Sequence, residues 1–211
     1  MKSRVRFALL FLISVLLLVI VLNGRYFYAN AVYSLNQPVS NSTPAPEIRV
    51  FIPPVKEVPN VKPLPDSATL VIPKINVSVP IVFDINGNSE KSIYDNLNRG
   101  AVHYSNTPKP GMLGTAMIFG HSSDYIWKRN AYASVFALLD KLEPGDVMYV
   151  KYSDGRRFDF RVNQKIIFDP NANDWRIQEM ASAKTPTLML ISCWPVGTAS
   201  KRIAVEAIGI K

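Results

Sequence analysis

Thiols and imidazoles are scarce in this chain: its 211 residues hold one cysteine, Cys193, and two histidines, His103 and His121. A single cysteine excludes an internal disulfide framework. Paired Cys and His ligands at zinc spacing do not occur. Neither a phosphate-cradling Gly-rich loop nor a dinucleotide fingerprint is present, so the sequence implies no cofactor. Calcium needs six to eight oxygens. Asp124, Asp169 and Asp174 are isolated acids that form no cluster, so no metal is implied either. The net charge of +8 is not gathered into a basic stripe interleaved with aromatics, which argues against nucleic acid as a partner. Residues 1–25 carry Lys2, Arg4, Arg6 and Arg25 with no acid, residues 35–66 balance, and residues 67–211 hold only four excess positives.

Long apolar runs are equally few. Residues 7–22 form one, interrupted only by Ser14. With Val5 and the uncharged stretch that follows, it approaches the roughly 20 residues of a spanning helix. The basic flank places the N-terminus in the cytoplasm, and Tyr26, Phe27 and Tyr28 are expected in the outer interface as an aromatic belt. The rival reading is a cleaved signal peptide, with Ala29, Asn30 and Ala31 as the small-residue site. An apolar core longer than the roughly 7–15 residues of a signal favours an uncleaved, single-pass anchor. The remainder of the chain is exported in either case, so the body is expected outside the cell membrane.

Residues 35–66 hold eight prolines, a composition of extended linkers rather than packed elements. At roughly 3 Å per residue such a linker could hold the body tens of ångströms from the bilayer. The organisation expected is therefore an anchor with its flank over 1–34, a linker over 35–66 and a folded body over 67–211. Part of the linker, residues 48–55, is weighed as a lid that folds back over the body.

From residue 69 the texture changes to short β-branched runs, at 70–72, 77–83, 100–104 and 116–119. Gly87 and Asn88 read as a turn, and a short helix capped by Ser89 is expected over 89–97. A helical turn is expected over 133–139. Residues 146–152 and 157–167 are the clearest hairpin, turning at Asp154 and Gly155. Phe158, Phe160 and Val162 alternate with Asp159 and Arg161, which predicts one buried and one wet face. Many short strands at this spacing predict a mostly β, closed or nearly closed antiparallel barrel with short helices.

The chemistry centres on residues 187–208. The apolar runs 188–191 and 203–208 flank a loop carrying Pro195 and Gly197, and read as an antiparallel hairpin. Cys193 and Arg202 flank that loop and face each other at roughly 5 Å between β-carbons. A guanidinium beside a thiol favours the reactive thiolate. A lone cysteine is more often a small buried hydrophobe, so a histidine partner is required. His121 ends a short strand next to Gly120, a position suited to chemistry. His103 lies on a strand before a Pro/Gly loop and reads as structural or as part of the rim. Trp194 is expected to line the acceptor side or close the rim.

Three motifs together, IPKI at 72–75, GxxxxxGH at 114–121 and SCxPxGTxxxR at 192–202, resemble the sortases, the cysteine transpeptidases of bacterial cell surfaces. The resemblance runs from about residue 69 to 208 with elements in matching order, and in motif spacing it is nearest the CxPxGTxxxR types of classes C, D and E. Met189 and Ser192 stand where threonines are common in the family, and Thr115 where asparagine is. The resemblance implies an eight-stranded barrel and maps the catalytic trio onto His121, Cys193 and Arg202. It implies that Cys193 attacks a threonine carbonyl in an LPxTG-like sorting signal near the C-terminus of a surface protein. His121 then serves as acid and base, Arg202 stabilises the oxyanion, and an amine of the cell envelope accepts the acyl group. The absence of a second apolar span before Lys211 leans toward general protein anchoring rather than pilus building. Alternatives from other classes are an L,D-transpeptidase-like exported cysteine enzyme and a catalytically inactive anchored binding module. The first places His and Gly directly before its cysteine, where this chain has Ile191 and Ser192.

Overall fold

The structure is a computed structural model describing residues 2–22, 24–35, 63–85, 89–124 and 130–210. Two N-terminal helices, α1 (Lys2–Leu22) and α2 (Gly24–Leu35), precede the strands. β1 (Ala68–Ile72), β2 (Val77–Ile85), β3 (Ala101–Tyr104), β4 (Thr115–Phe119), β5 (Val147–Tyr152), β6 (Arg157–Phe168), β7 (Thr187–Trp194) and β8 (Lys201–Ile210) follow. They close into a barrel in the order β1-β2-β3-β4-β7-β8-β6-β5. Two short helices interrupt them, α3 (Glu90–Asn96) and α4 (Trp175–Ala181).

Local sequence accounts for most of these elements. Ser89 caps α3, accepting the Ser92 N–H at 3.2 Å. The β5–β6 hairpin turns where Gly155 takes a left-handed φ of 92°. Phe160 and Val162 are buried while Arg161 is exposed, as the alternation requires. Residues 131–138 form a chain of turns running into a 3-10 segment (Leu139–Lys141), in place of the expected helical turn. The expected turn at Gly87 and Asn88 and the weighed lid at 48–55 lie outside the described residues.

The barrel is not wholly antiparallel. β2 pairs with β3, and β4 with β7, in parallel. Parallel neighbours need a long crossover rather than a tight turn. The segment containing α3 provides one, and the chain between β4 and β7 runs through two further strands and α4.

The interior is filled by Leu70, Ile72, Val79, Ile118, Phe136, Met148, Phe160, Leu188, Leu190 and Val205, among others. Tyr152 is buried with them, and its hydroxyl donates to the Pro110 carbonyl at 2.8 Å. Burial pushes that hydroxyl well above the ordinary tyrosine range. Tyr152→Phe orphans the Pro110 carbonyl and is expected to cost about 1–3 kcal/mol of stability, read as a lower urea midpoint with unchanged m-value.

No single helix among the described residues is long and apolar enough to cross a membrane; Arg6–Val21 and Tyr26–Leu35 meet length and composition only as a pair bent by 75°. The bend after Leu22 turns the following residues away from the axis of α1, so they do not lengthen it. Tyr26, expected at an aromatic belt, instead packs with Ala29 and Tyr33 against the barrel. Phe27 and Tyr28 are exposed.

Candidate active site

Three neighbouring strands end at one rim of the barrel and bring the expected residues together. β7 and β8 pair with Cys193 directly opposite Arg202. On the other side of β7, β4 runs parallel, with Phe119 level with Ile191. Beyond β4, the Gly120 N–H donates to the Ile191 carbonyl at 3.1 Å. The Ser192 hydroxyl donates to the Gly120 carbonyl at 2.7 Å. Gly120 is thus gripped at both polar groups by β7. His121 follows it directly in the chain, beyond the end of β4, while Cys193 and Arg202 are cross-strand partners.

Alternation along β7 decides which way the thiol points. Leu188 and Leu190 face the interior core, while Met189 and Ile191 belong to a second cluster with Met180 and Ala204. Cys193 shares the parity of Met189 and Ile191 and therefore lies on the outer face, half-buried. Met117, Phe119, Ile166, Phe168 and Ile177 complete this outer apolar surface, which leads to the thiol. α4 covers its far end, held by the Thr115 hydroxyl on the Met180 carbonyl at 2.6 Å. Asp174 caps α4, and the Arg176 guanidinium holds its carboxyl below the usual range. Asp169 closes a turn by accepting the Asn171 N–H.

His121 is buried and held from several sides. Its carbonyl accepts the Phe136 N–H at 2.8 Å, and its ring meets Tyr94 edge-on at 5.4 Å between centroids. Gly120 is required here by space rather than by φ: an added Cβ would stand 2.3 Å from the Phe136 ring. Arg202 Nη1 donates to the carbonyls of Ala199 and Lys201 at 2.9 and 3.1 Å, which fixes the guanidinium at the mouth of the β7–β8 loop. Gly197 takes a left-handed φ of 87° in that loop, and its N–H donates to the Ser123 hydroxyl at 3.0 Å. The loop after the cysteine is therefore tied to the segment after the histidine.

His103 is placed elsewhere. It is buried inside the barrel, its Nε2 lying 3.0 Å from the Pro108 carbonyl and its ring against Phe83. Trp194 is half-buried and packs against the interior cluster. Among the described residues no group of three His, Cys, Asp or Glu side chains is placed to hold a metal ion.

Ser192, Ser123 and Phe136 were not legible as parts of the site, because each acts through a backbone group on another element. Ser192→Ala leaves the buried Gly120 carbonyl without its donor. If the site acts as proposed below, turnover is expected to fall about tenfold, equivalent to roughly 1.4 kcal/mol in the barrier. Ser192→Thr keeps the hydroxyl and is expected to retain turnover in a steady-state assay.

The molecule is a closed eight-stranded barrel with a half-buried thiol paired across strands with an arginine at one rim. The sequence from 70 to 208 matches the family described as Sortase domain, and the chain belongs to that family. No curated protein matches the sequence. Among solved structures, Actinomyces oris sortase C-1 is similar at 27% identity and a TM-score of 0.53, covering 68% of this chain and 73% of its own. Corynebacterium diphtheriae sortase A is similar at 24% identity and 0.55, covering 71% and 62%. The sortase C1 of GBS Pilus Island 1 is similar at 24% and 0.55; this chain covers 64% of its length, and it covers 68% of this chain.

Proposed function

We propose that this chain is a membrane-anchored sortase that cleaves an LPxTG-like sorting signal and transfers the acyl fragment to a cell-surface amine. The observation that supports this reading is the cross-strand pairing of Cys193 with Arg202, together with the hydrogen bonds that tie Gly120, the residue before His121, to the same strand. Cys193 Sγ bonds to the threonyl carbonyl carbon, and the developing oxyanion meets the Arg202 guanidinium. The C–N bond to the next residue breaks as His121 gives a proton to the departing amine. The incoming amine then attacks the thioester, passes its proton to His121, and the C–S bond breaks. The apolar surface of Met117, Phe119, Ile166 and Phe168 is suited to the signal's apolar side chains.

The anchor in this reading is α1, with the N-terminus cytoplasmic and the barrel outside the cell membrane. Its basis is the apolar run over 7–22 behind three basic residues. Incubation of the protein with a library of LPxTG-like peptides and an amine, read by mass spectrometry, tests the activity. Products joining the N-terminal peptide fragment to the amine are expected. Products of hydrolysis alone would make the chain a peptidase, and no product at all would leave it a barrel without this chemistry.

A further inference from the structure

Helix α2 has two faces, and only one is occupied. Tyr26, Ala29 and Tyr33, at helical spacing, pack against the barrel. The other face carries Phe27, Ala31, Ser34 and Leu35, all exposed, with Leu35 at 83%; Tyr28, 73% exposed, stands at its border, where it also edges the cavity between α2 and the barrel. An aromatic and a leucine in one stripe beside a single serine, bordered by a second aromatic, make a surface built for an apolar or interfacial environment.

We propose that this outward stripe rests in the headgroup layer of the bilayer that α1 enters, so that α2 lies along the membrane with the barrel seated on its inner face. The proposal rests on the anchoring reading above. It draws on three further observations. α1 ends one residue before α2 begins, and the axes of Arg6–Val21 and Tyr26–Leu35 diverge by 75°. With α1 near the bilayer normal, α2 comes out close to the membrane plane. The apolar run over 7–22 rises only about 24 Å as a helix, short of the roughly 30 Å hydrocarbon core. A short span draws the residues that follow it into the interface. The sequence also has no acidic residue before Glu47, while Arg25 sits at the junction, a composition suited to anionic headgroups.

The consequence is that the linker does not set the distance from barrel to membrane. α2 already touches the barrel, and the chain is on the barrel again at Pro63 and Leu64, whose carbonyls accept from Arg156 and Lys109 at 2.7 and 3.1 Å. The segments facing α2, at 73–78 and 131–138, become the part of the barrel nearest the lipid. One of them contains Phe136, which holds the His121 carbonyl.

The test uses the full chain with Cys193→Ser, reconstituted in vesicles of phosphatidylethanolamine and phosphatidylglycerol. Spin labels are placed singly at Val15→Cys, Tyr28→Cys, Leu35→Cys and, on the exposed hairpin turn, Ser153→Cys. Collision with oxygen is compared with collision with a water-soluble nickel chelate. The oxygen-to-nickel ratio is expected to be highest at 15, severalfold above the Ser153 position at 28 and 35, and lowest at 153. Values at 28 and 35 equal to that at 153, with 15 buried in lipid, would overturn the proposal and leave the anchor standing. An aqueous label at 15 would sink the anchor and this proposal with it. Spin–spin broadening at 28 that grows with the protein-to-lipid ratio would assign the stripe to a second copy of the chain and also overturn it.

Discussion

Cys193→Ala is expected to abolish transfer while leaving the fold nearly intact. The thiol is half-buried on the outer face of β7, outside the interior cluster, so its removal opens no core cavity. The loss is total because the covalent route passes through Sγ. Cys193→Ser should be nearly as inactive, since a hydroxyl is far harder to ionise than a thiol. His121→Ala removes the proposed acid–base group and should cost on the order of 10⁴–10⁶ in turnover, the range seen when one member of a catalytic unit is deleted. His103→Ala provides the contrast. It loses a buried ring and its contacts with Phe83 and Pro108, so stability falls, but the folded fraction should keep its turnover. Intact-protein mass spectrometry after mixing with peptide decides the matter. A mass increment equal to the N-terminal peptide fragment is expected on the wild-type chain and absent from Cys193→Ala. Loss of turnover per folded molecule in His103→Ala, with retention in His121→Ala, would assign the base to the wrong histidine.

Arg202→Lys carries the second large effect. Removal of a single oxyanion donor costs about 10²–10³ in rate in other acyl-transfer enzymes, and a loss of that order is expected here. Lysine keeps the charge but not the planar fork, so it cannot hold the Ala199 and Lys201 carbonyls and still present fixed donors to the substrate. The deficit should appear in kcat, with a smaller change in KM, because the interaction strengthens as charge develops. Unchanged turnover in the lysine variant would remove Arg202 from the chemistry without touching Cys193. Alkylation of Cys193 by a thiol reagent offers an independent readout, because it needs no substrate.

The site combines a rigid wall with tied loops. β7 contributes Cys193 outward and Ser192 inward from successive positions, so one strand both carries the proposed nucleophile and grips the segment that carries the histidine. The Ser123–Gly197 bond joins the two loops that flank the site. Phe136 supports the same segment from the far side. These contacts tie the segment carrying His121 to the strand carrying Cys193, which is what the proposed acid–base exchange across a thioester requires.

The local half of the site was determined by the sequence itself. Cys193 and Arg202 are joined by a short loop with Pro195 and Gly197, and the alternation of apolar residues on either side sets their register. The β5–β6 hairpin and the Ser89 cap were readable for the same reason: each depends on contacts only a few residues apart. The β-rich class and the exclusion of a disulfide framework also followed from composition and pattern, which gave a closed or nearly closed barrel but an antiparallel one; the resemblance supplied the eight strands. Tertiary structure alone decided the rest. His121 and Cys193 lie 72 positions apart in the sequence, and only the parallel pairing of β4 with β7 brings the strands that precede and carry them side by side. Such pairing leaves no turn signal, because the crossover separates the partners. α4 is only seven residues long, too short for its periodicity to stand out, and is stabilised by the Asp174 cap and by Met180 on the outer cluster. The seating of α2 on the barrel was likewise invisible: an aromatic stripe has the same spacing whether it meets lipid or protein, and only the position of the barrel assigns Tyr26 and Tyr33 to the protein side.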